Sequence, residues 1–362
     1  MDYRKFLDSF EAYSWELSNK EISKITGIDI NKIKRFDTNT SPYNPEYVLD
    51  KLKEEVNNLI VNQYPDTSYL DIREKLSNHT ALKKENMVIT CGADEGLDII
   101  SKTFISNNDK AIISTPTYSY FRIVTEIMGG QMINIERKND FSDDIEKIIK
   151  TASDDNVKII FLCNPNNPTG NNVEKNDVIK LLNKVNCAVV VDEAYDEFAK
   201  NTFSKLIDKY KNLIIVRTFS KAFSLAGVRV GYILANENTI NLLNKIRPPN
   251  SISRISLFLA ESILENFKIV EKWINEIINE KKRCEDILKR NNIRTYKTNT
   301  NFILMEFEKN KSQDIHKNLL NKGLVLRDLS SIKKLENCLR FTIGLKDDNN
   351  QVIEEIVKLN NY

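Results

Sequence analysis

Four polar clusters stand directly after apolar, strand-length runs in this sequence. Met87–Thr90 is followed by Cys91-Gly92-Ala93-Asp94-Glu95, and Val157–Cys163 by Asn164-Pro165-Asn166-Asn167-Pro168-Thr169-Gly170. Ala188–Val191 leads into Asp192-Glu193-Ala194-Tyr195, and Leu213–Val216 into a stretch running from Arg217 through Ser220-Lys221 to Arg229-Val230-Gly231. A lysine amine can condense with a carbonyl, and a glycine-led helix start presents N–H groups and a dipole that favour an anion. Each cluster alone has an ordinary reading. Asn, Pro and Gly are turn residues, an acid after a strand is often a helix N-cap, and one lysine is usually a solvated charge. Turns and caps do not explain why four such clusters share the same relation to four strands.

Their chemistry converges on pyridoxal 5'-phosphate, which needs an imine-forming lysine, an acid at its pyridinium nitrogen, donors to its ring oxygen and a cradle for its phosphate. Lys221 can provide the imine, and Asp192 can keep the ring nitrogen protonated. Asn167 and Tyr195 can donate to the ring oxygen, while Tyr118, in Pro116-Thr117-Tyr118, offers an aromatic face for stacking. Ser220, Arg229 and the backbone of Gly92-Ala93-Asp94 can hold phosphate.

The elements that must position these groups follow from the apolar spacing. Seven short runs (Met87–Thr90, Ala111–Ser114, Gln131–Ile135, Val157–Cys163, Ala188–Val191, Leu213–Val216, Gly231–Leu234) alternate with helical stretches such as Asp94–Phe104, Tyr118–Met128 and Val173–Val185. That alternation predicts an α/β fold with a mostly parallel sheet sandwiched by helices, whose ligand sits at the carboxyl ends of the strands. Lys20–Thr26 and Glu46–Val61 read as helices, with Arg35–Pro45 a loop between them. After Pro248-Pro249 a long helical pattern, Ile255–Asn291, precedes strands at Asn301–Phe307, Leu324–Leu326 and Leu339–Ile343. The expected division is an N-terminal arm over 1–44, a large cofactor-binding domain over 45–250, and a smaller α+β domain over 251–362 that packs with the arm.

Composition narrows the partners. With 362 residues, 53 Lys+Arg against 51 Asp+Glu and a net charge of +2, the chain has no field to gather nucleic acid or an acidic membrane. No apolar run approaches the roughly 18 residues of a membrane span, and the acidic N-terminus does not read as a secretory signal. Five cysteines without a CxxC pair suggest reduced thiols and a cytoplasmic location. Two histidines, His79 and His316, rule out a multi-histidine metal site, so no metal is expected.

From about Tyr13 to the last strand the sequence resembles fold-type I pyridoxal-phosphate enzymes of the class I/II aminotransferase group, and most resembles histidinol-phosphate aminotransferases. The resemblance rests on NNPTG, DEAY, the SKAF…AGVRVG segment and the terminal CLRFTIG, which are jointly specific. It implies that Lys221 is the Schiff-base lysine and proton shuttle, with the cofactor roles distributed as above. It also implies that Tyr64, in Gln63-Tyr64-Pro65-Asp66, reaches the cofactor phosphate of a neighbouring subunit, hence a homodimer with shared active sites. Arg340 matches the arginine that binds the α-carboxylate of the amino donor. Arg327 and Arg340 together resemble the pair that grips a substrate phosphate, and Tyr13 the arm tyrosine that touches it.

An arginine fork suits such anions; the ordinary alternative for the two residues is an exposed arginine paired with Asp328 or Glu336. The implied substrates are glutamate and a small phosphorylated amine. Where the family reads close to N-E-N-P, this chain has Asn39-Thr40-Ser41-Pro42; where it has Y-N-V-N, this chain has Asn250-Ser251-Ile252-Ser253; and Ala12 replaces a proline. Thr40 and Asn250 thus lack groups that would shape an imidazole-sized pocket, so an amino alcohol phosphate is expected beside histidinol phosphate. Two other activities fit the same cofactor motifs. One is decarboxylation of a phosphorylated amino acid, as in threonine-phosphate decarboxylase. The other is a cofactor-sensing regulator, against which stands an arm before Arg35 that is short and not basic.

Overall fold

The computed structural model describes residues 1–308 and 311–361. Seven strands form the larger sheet: β2 (Met87–Thr90), β3 (Lys110–Thr115), β4 (Gln131–Glu136), β5 (Val157–Cys163), β6 (Ala188–Asp192), β7 (Leu213–Thr218) and β8 (Gly231–Ala235). Their order is β2-β8-β7-β6-β5-β3-β4, and only β8 runs against its neighbours. The central parallel strands β5, β6 and β7 are apolar almost throughout, as expected for strands covered on both faces, whereas the edge strand β4 leaves Gln131, Asn134 and Glu136 exposed. In β5, Ile160 and Leu162 pack into one core, while Ile159, Phe161 and Cys163 point into the other. Phe161 stacks on Phe121 of the helix Tyr120–Ile127, with centroids 4.9 Å apart and planes within 10°. On that same face lies the helix Gly92–Phe104, through Leu97, Ile99 and Ile100.

Five strands form the smaller sheet, in the order β1 (Lys34–Phe36), β11 (Leu324–Asp328), β12 (Cys338–Thr342), β10 (Phe302–Glu306) and β9 (Arg294–Thr295). β1 differs from expectation, since its residues read as part of a linker. Three residues are too few to show an alternation, and β1 exists because it pairs in parallel with β11, Phe36 opposite Leu326. The expected helix over Ile255–Asn291 is two, Arg254–Glu265 and Phe267–Arg290. They part at Asn266, whose backbone leaves the helical region at φ −124°, ψ 53°. Asparagine favours such breaks because its amide competes with helical hydrogen bonds. The second helix buries Val270, Trp273, Ile274, Ile277, Cys284 and Leu288 at the spacing of a single helical face.

The arm is tied down at several points. Ser18 and Glu21 form a reciprocal capping box at the helix Asn19–Thr26, which Gly27 ends at φ +74°. Before that helix, Arg122 donates to the Glu11 carbonyl (2.7 Å) and Arg35 to the Leu17 carbonyl (2.6 Å). The extended segment between these anchors therefore crosses from the large sheet's helices to β1. Among the described residues no helix is long and apolar enough to cross a membrane, and no cluster of His, Cys, Asp and Glu could hold a metal.

Candidate active site

A cavity of about 290 Å³ opens at the carboxyl ends of β3, β5, β6 and β7, close to the lower end of the roughly 300–1,000 Å³ usual for ligand pockets. The strands end in the predicted clusters, so the pleated sheet converts their separation along the chain into proximity. Asp192, at the end of β6, is the register partner of Cys163 at the end of β5. Lys221 enters from the turn after β7.

Lys221 is partly buried, and its Nζ donates to the Thr38 carbonyl (2.9 Å). Burial, reinforced by the positive charge of Arg340, lowers its pKa to about 8. Asp192 is buried, and accepts from the Ala194 N–H at 3.0 Å. Burial pushes its carboxyl up to about 7. A carboxylate held in this way is poised to meet a cationic nitrogen.

The other end of the cavity is a built anion cradle. Arg229 takes a left-handed backbone (φ +57°) and donates through Nη1 to Ser220 Oγ (3.2 Å). Its Nη2 stands where a side chain on Gly92 would fall, 2.5 Å from an added Cβ, and Gly92 itself has φ +75°. Gly231 lets β8 approach the same helix start, since a Cβ there would lie 2.5 Å from the Gly92 carbonyl carbon and 2.8 Å from the Ala93 nitrogen. Asp94 orients the neighbouring aromatic: Tyr118 donates its hydroxyl to Asp94 Oδ1 at 3.0 Å, and burial raises that phenol's pKa. Beneath this loop the Arg137 Nε and Asn166 Nδ2 both donate to the Pro116 carbonyl, at 3.1 and 3.0 Å. The loops after β3 and β5 are thereby locked together.

At the substrate side, Tyr195 accepts from Asn39 Nδ2 (2.8 Å), and burial raises its phenol. Arg340 is buried and donates to Asn167 Oδ1 and to the Asp37 carbonyl. Its Nε, although buried, has no hydrogen-bond partner among the described residues. Arg327 is its cross-strand neighbour, β11 against β12, and Arg327 Nη1 is paired with Glu16 Oε1 of the arm at 3.0 Å. Asp328 instead accepts from Ser330, and among the described residues the ion pair of Arg327 is with Glu16 rather than with Asp328 or Glu336. Tyr13 lines the same cavity.

The cavity thus gathers Tyr13, Ala93, Asp94, Tyr118, Asn167, Asp192, Tyr195, Ser220, Lys221, Arg229, Arg327 and Arg340, with Gly92 directly behind Arg229. Tyr64 is not among them: it is 79% exposed, and its carbonyl accepts from Arg254. Thr40 and Asn250 do not line the cavity of this chain either. Glu16, Asp37 and Thr38 escaped the sequence reading, as did Ser119, Leu329 and Ile332, whereas Asn39 lines the cavity from the Asn39-Thr40-Ser41-Pro42 segment that the sequence had singled out. Glu16, Asp37 and Thr38 lie in segments with no apolar period, so only their sequence neighbours, Tyr13 and the Asn39-Thr40-Ser41-Pro42 segment, pointed toward them. A buried cluster below the site also went unread. Arg217 donates to Glu193 Oε2 (3.0 and 2.8 Å) and Asp196 Oδ2 (2.9 Å), tying the loop after β6 to β7.

A lysine with a lowered pKa, a buried carboxylate, an orphaned guanidinium nitrogen and a glycine-lined anion cradle together fit pyridoxal 5'-phosphate with an anionic substrate. Comparison with known proteins points the same way. Residues 26–356 match the family model described as aminotransferase class I and II. The histidinol-phosphate aminotransferase of Thermoanaerobacter sp. (strain X514) is 34% identical over 95% of this chain and 98% of that protein. The enzyme of the same name from Ruminiclostridium cellulolyticum is 36% identical, covering 94% and 97%. The crystal structure of histidinol-phosphate aminotransferase from Sinorhizobium meliloti in complex with pyridoxal-5'-phosphate superposes with a TM-score of 0.90 over 99% of this chain and 97% of that one. At 22% identity that likeness speaks for the fold.

Proposed function

The chain belongs to the class I and II aminotransferases, enzymes dependent on pyridoxal 5'-phosphate, and on that premise we propose that it moves an amino group between glutamate and a small phosphate-bearing amine. Histidinol phosphate and shorter amino alcohol phosphates such as serinol phosphate are the substrates of this proposal. The observation that carries it is the pair Arg327 and Arg340, set opposite each other in one cavity with Tyr13, Lys221 and Asn167. Like charges directly opposite on adjacent strands destabilise a sheet, so the arrangement makes sense as a receptor for an anion. The names of the relatives above support the same substrate class.

When bound, the cofactor supplies an aldehyde carbon for the amino group and an electron-withdrawing ring that makes the substrate's Cα proton acidic. Lys221 would hold the cofactor and carry that proton at Nζ, with a pKa near 8 that leaves part of the amine free at neutral pH. Asp192 would keep a proton on the ring nitrogen, and the positive charge there would draw its own pKa down from about 7. Asn167 and Tyr195 would donate to the ring oxygen, with Tyr118 covering the ring. Ser220, Arg229 and the N–H groups of Gly92, Ala93 and Asp94 would hold the phosphate. Arg340 would take the α-carboxylate, Arg327 with Tyr13 the distal anion.

The proposal extends to a homodimer in which Tyr64, exposed on its own chain, completes the phosphate cradle of its neighbour. It also extends to the cytoplasm, in keeping with five cysteines that carry no disulfide. The test is a substrate panel on the purified holoenzyme, following the cofactor's absorbance. Glutamate should convert the band, and a phosphorylated keto or aldehyde acceptor should restore it. If glutamate leaves the band unchanged, the transaminase proposal falls. Carbon dioxide release from phosphothreonine or phosphoserine without such conversion would put decarboxylation in its place.

A further inference from the structure

We propose that Glu16 is a built-in counter-ion for Arg327, one that the substrate's distal anion must displace, so that the arm sets how tightly anions are held. The inference rests on the proposed reading of the cavity as an anion-binding aminotransferase site. Three observations carry it. Glu16 lines the cavity and pairs with Arg327 at 3.0 Å, both side chains being about a quarter exposed. Arg327 faces Arg340 across β11 and β12, and each guanidinium raises the cost of charge on the other, as the lowered pKa of Arg340 reflects after burial. The two Arg340 Nη groups are held by the neutral acceptors Asn167 Oδ1 and the Asp37 carbonyl, leaving its Nε for an anion, whereas the Arg327 Nη1 is held by a carboxylate that an incoming anion can replace.

Without an anion, a bare pair of guanidinium groups would repel. Glu16 relieves this with one carboxylate, delivered by a segment anchored on both sides by Arg122 to the Glu11 carbonyl and by Arg35 to the Leu17 carbonyl. An incoming phosphate competes for the same Nη1 position. Glu16 therefore acts through Arg327 as a positioning residue. It keeps the site ordered when empty and lowers its affinity for anions. Its neighbour Tyr13, three residues away on the same strap, would shift with it.

Competition and anchoring make opposite predictions. The variant Glu16→Gln keeps an oxygen to accept from Arg327 and removes the charge. If Glu16 competes, holoenzyme carrying Glu16→Gln should show KM for the phosphorylated amine, and the inhibition constant of inorganic phosphate, lowered by about two- to fivefold, the scale of a partly exposed ion pair. The kcat should stay within the error of the wild type, and Glu16→Asp should return both constants toward it. If Glu16 only anchors the arm, Glu16→Gln and Glu16→Ala should both raise KM as Tyr13 is lost from the pocket. Unchanged or raised constants would overturn the inference. Failure of the wild-type holoenzyme to use any phosphorylated amine with glutamate would instead overturn the functional reading on which it rests.

Discussion

Arg327 and Arg340 are register partners on adjacent antiparallel strands, so two guanidinium groups spring from facing Cα positions at the edge of one cavity. Among the described residues the buried Arg340 Nε has no partner, and the Arg327 Nη1 is satisfied through Glu16 of the arm. An anion delivered between them would meet both needs. Arg327→Gln is accordingly expected to raise KM for the phosphorylated amine about 10- to 100-fold with little change in kcat, since a hydrogen bond to a charged group contributes roughly 1.5–3 kcal/mol. Steady-state kinetics on the holoenzyme will check this, and a fall in kcat at constant KM would argue for a different role.

Asp192 lends itself to a pH test in the cofactor-free protein. Its folded pKa, about 7, lies above that of an unfolded carboxyl near 3.8, so the folded state binds more protons between these values. The Asp192 contribution to stability is present below pH 4 and is lost as pH rises toward 7. Asp192→Asn does not titrate. Its urea midpoint relative to wild type should therefore be higher at pH 8 than at pH 5. The same variant should lose turnover by about 100-fold or more, the scale of removing one preorganised electrostatic partner. A midpoint difference independent of pH would show that Asp192 is not buried as described.

Lys221 gives the complementary profile. Its folded pKa of about 8 lies below the ordinary 10.5, so the amine loses its proton as pH rises through 8. Capture of the cofactor aldehyde by the cofactor-free protein should speed up between pH 7 and 9 and then level off, as followed by stopped-flow absorbance. Lys221→Ala should show neither capture nor turnover; turnover at the wild-type rate would remove Lys221 from its proposed role.

Asn39 should matter through Tyr195. Asn39→Ala removes the donor to the buried Tyr195 hydroxyl and places alanine at φ +54°. A loss of about 1–3 kcal/mol in unfolding free energy is expected from the unsatisfied group alone. Asn39→Gly relieves the backbone but not the missing donor, so calorimetry should find it less damaging than Asn39→Ala yet still below wild type.

Gly231→Ala probes the cradle. The added Cβ would lie 2.5 Å from the Gly92 carbonyl carbon, backbone that cannot swing aside. Overpacking of this kind costs about 1–3 kcal/mol. The variant should melt earlier and bind pyridoxal phosphate more weakly by equilibrium dialysis. Normal affinity would show that the helix start does not take part in holding the phosphate.

The sequence by itself determined the large sheet and the groups along its carboxyl edge. Runs such as Val157–Cys163 are apolar because both faces are covered, and their ends are marked where polar residues begin, so Lys221, Asp192, Asn167 and Tyr195 were legible from local pattern alone. The clean apolar face of Phe267–Arg290 was legible too, but not the break at Asn266, where the period continues through a residue whose backbone does not. Only the tertiary structure decided the substrate side. That Arg327 faces Arg340 is a matter of strand register, that Glu16 meets Arg327 depends on an arm 311 residues away in sequence, and that Asn39 holds Tyr195 spans 156. Such contacts leave no period in the chain, because each is made by one residue at a place fixed by the packing of everything between.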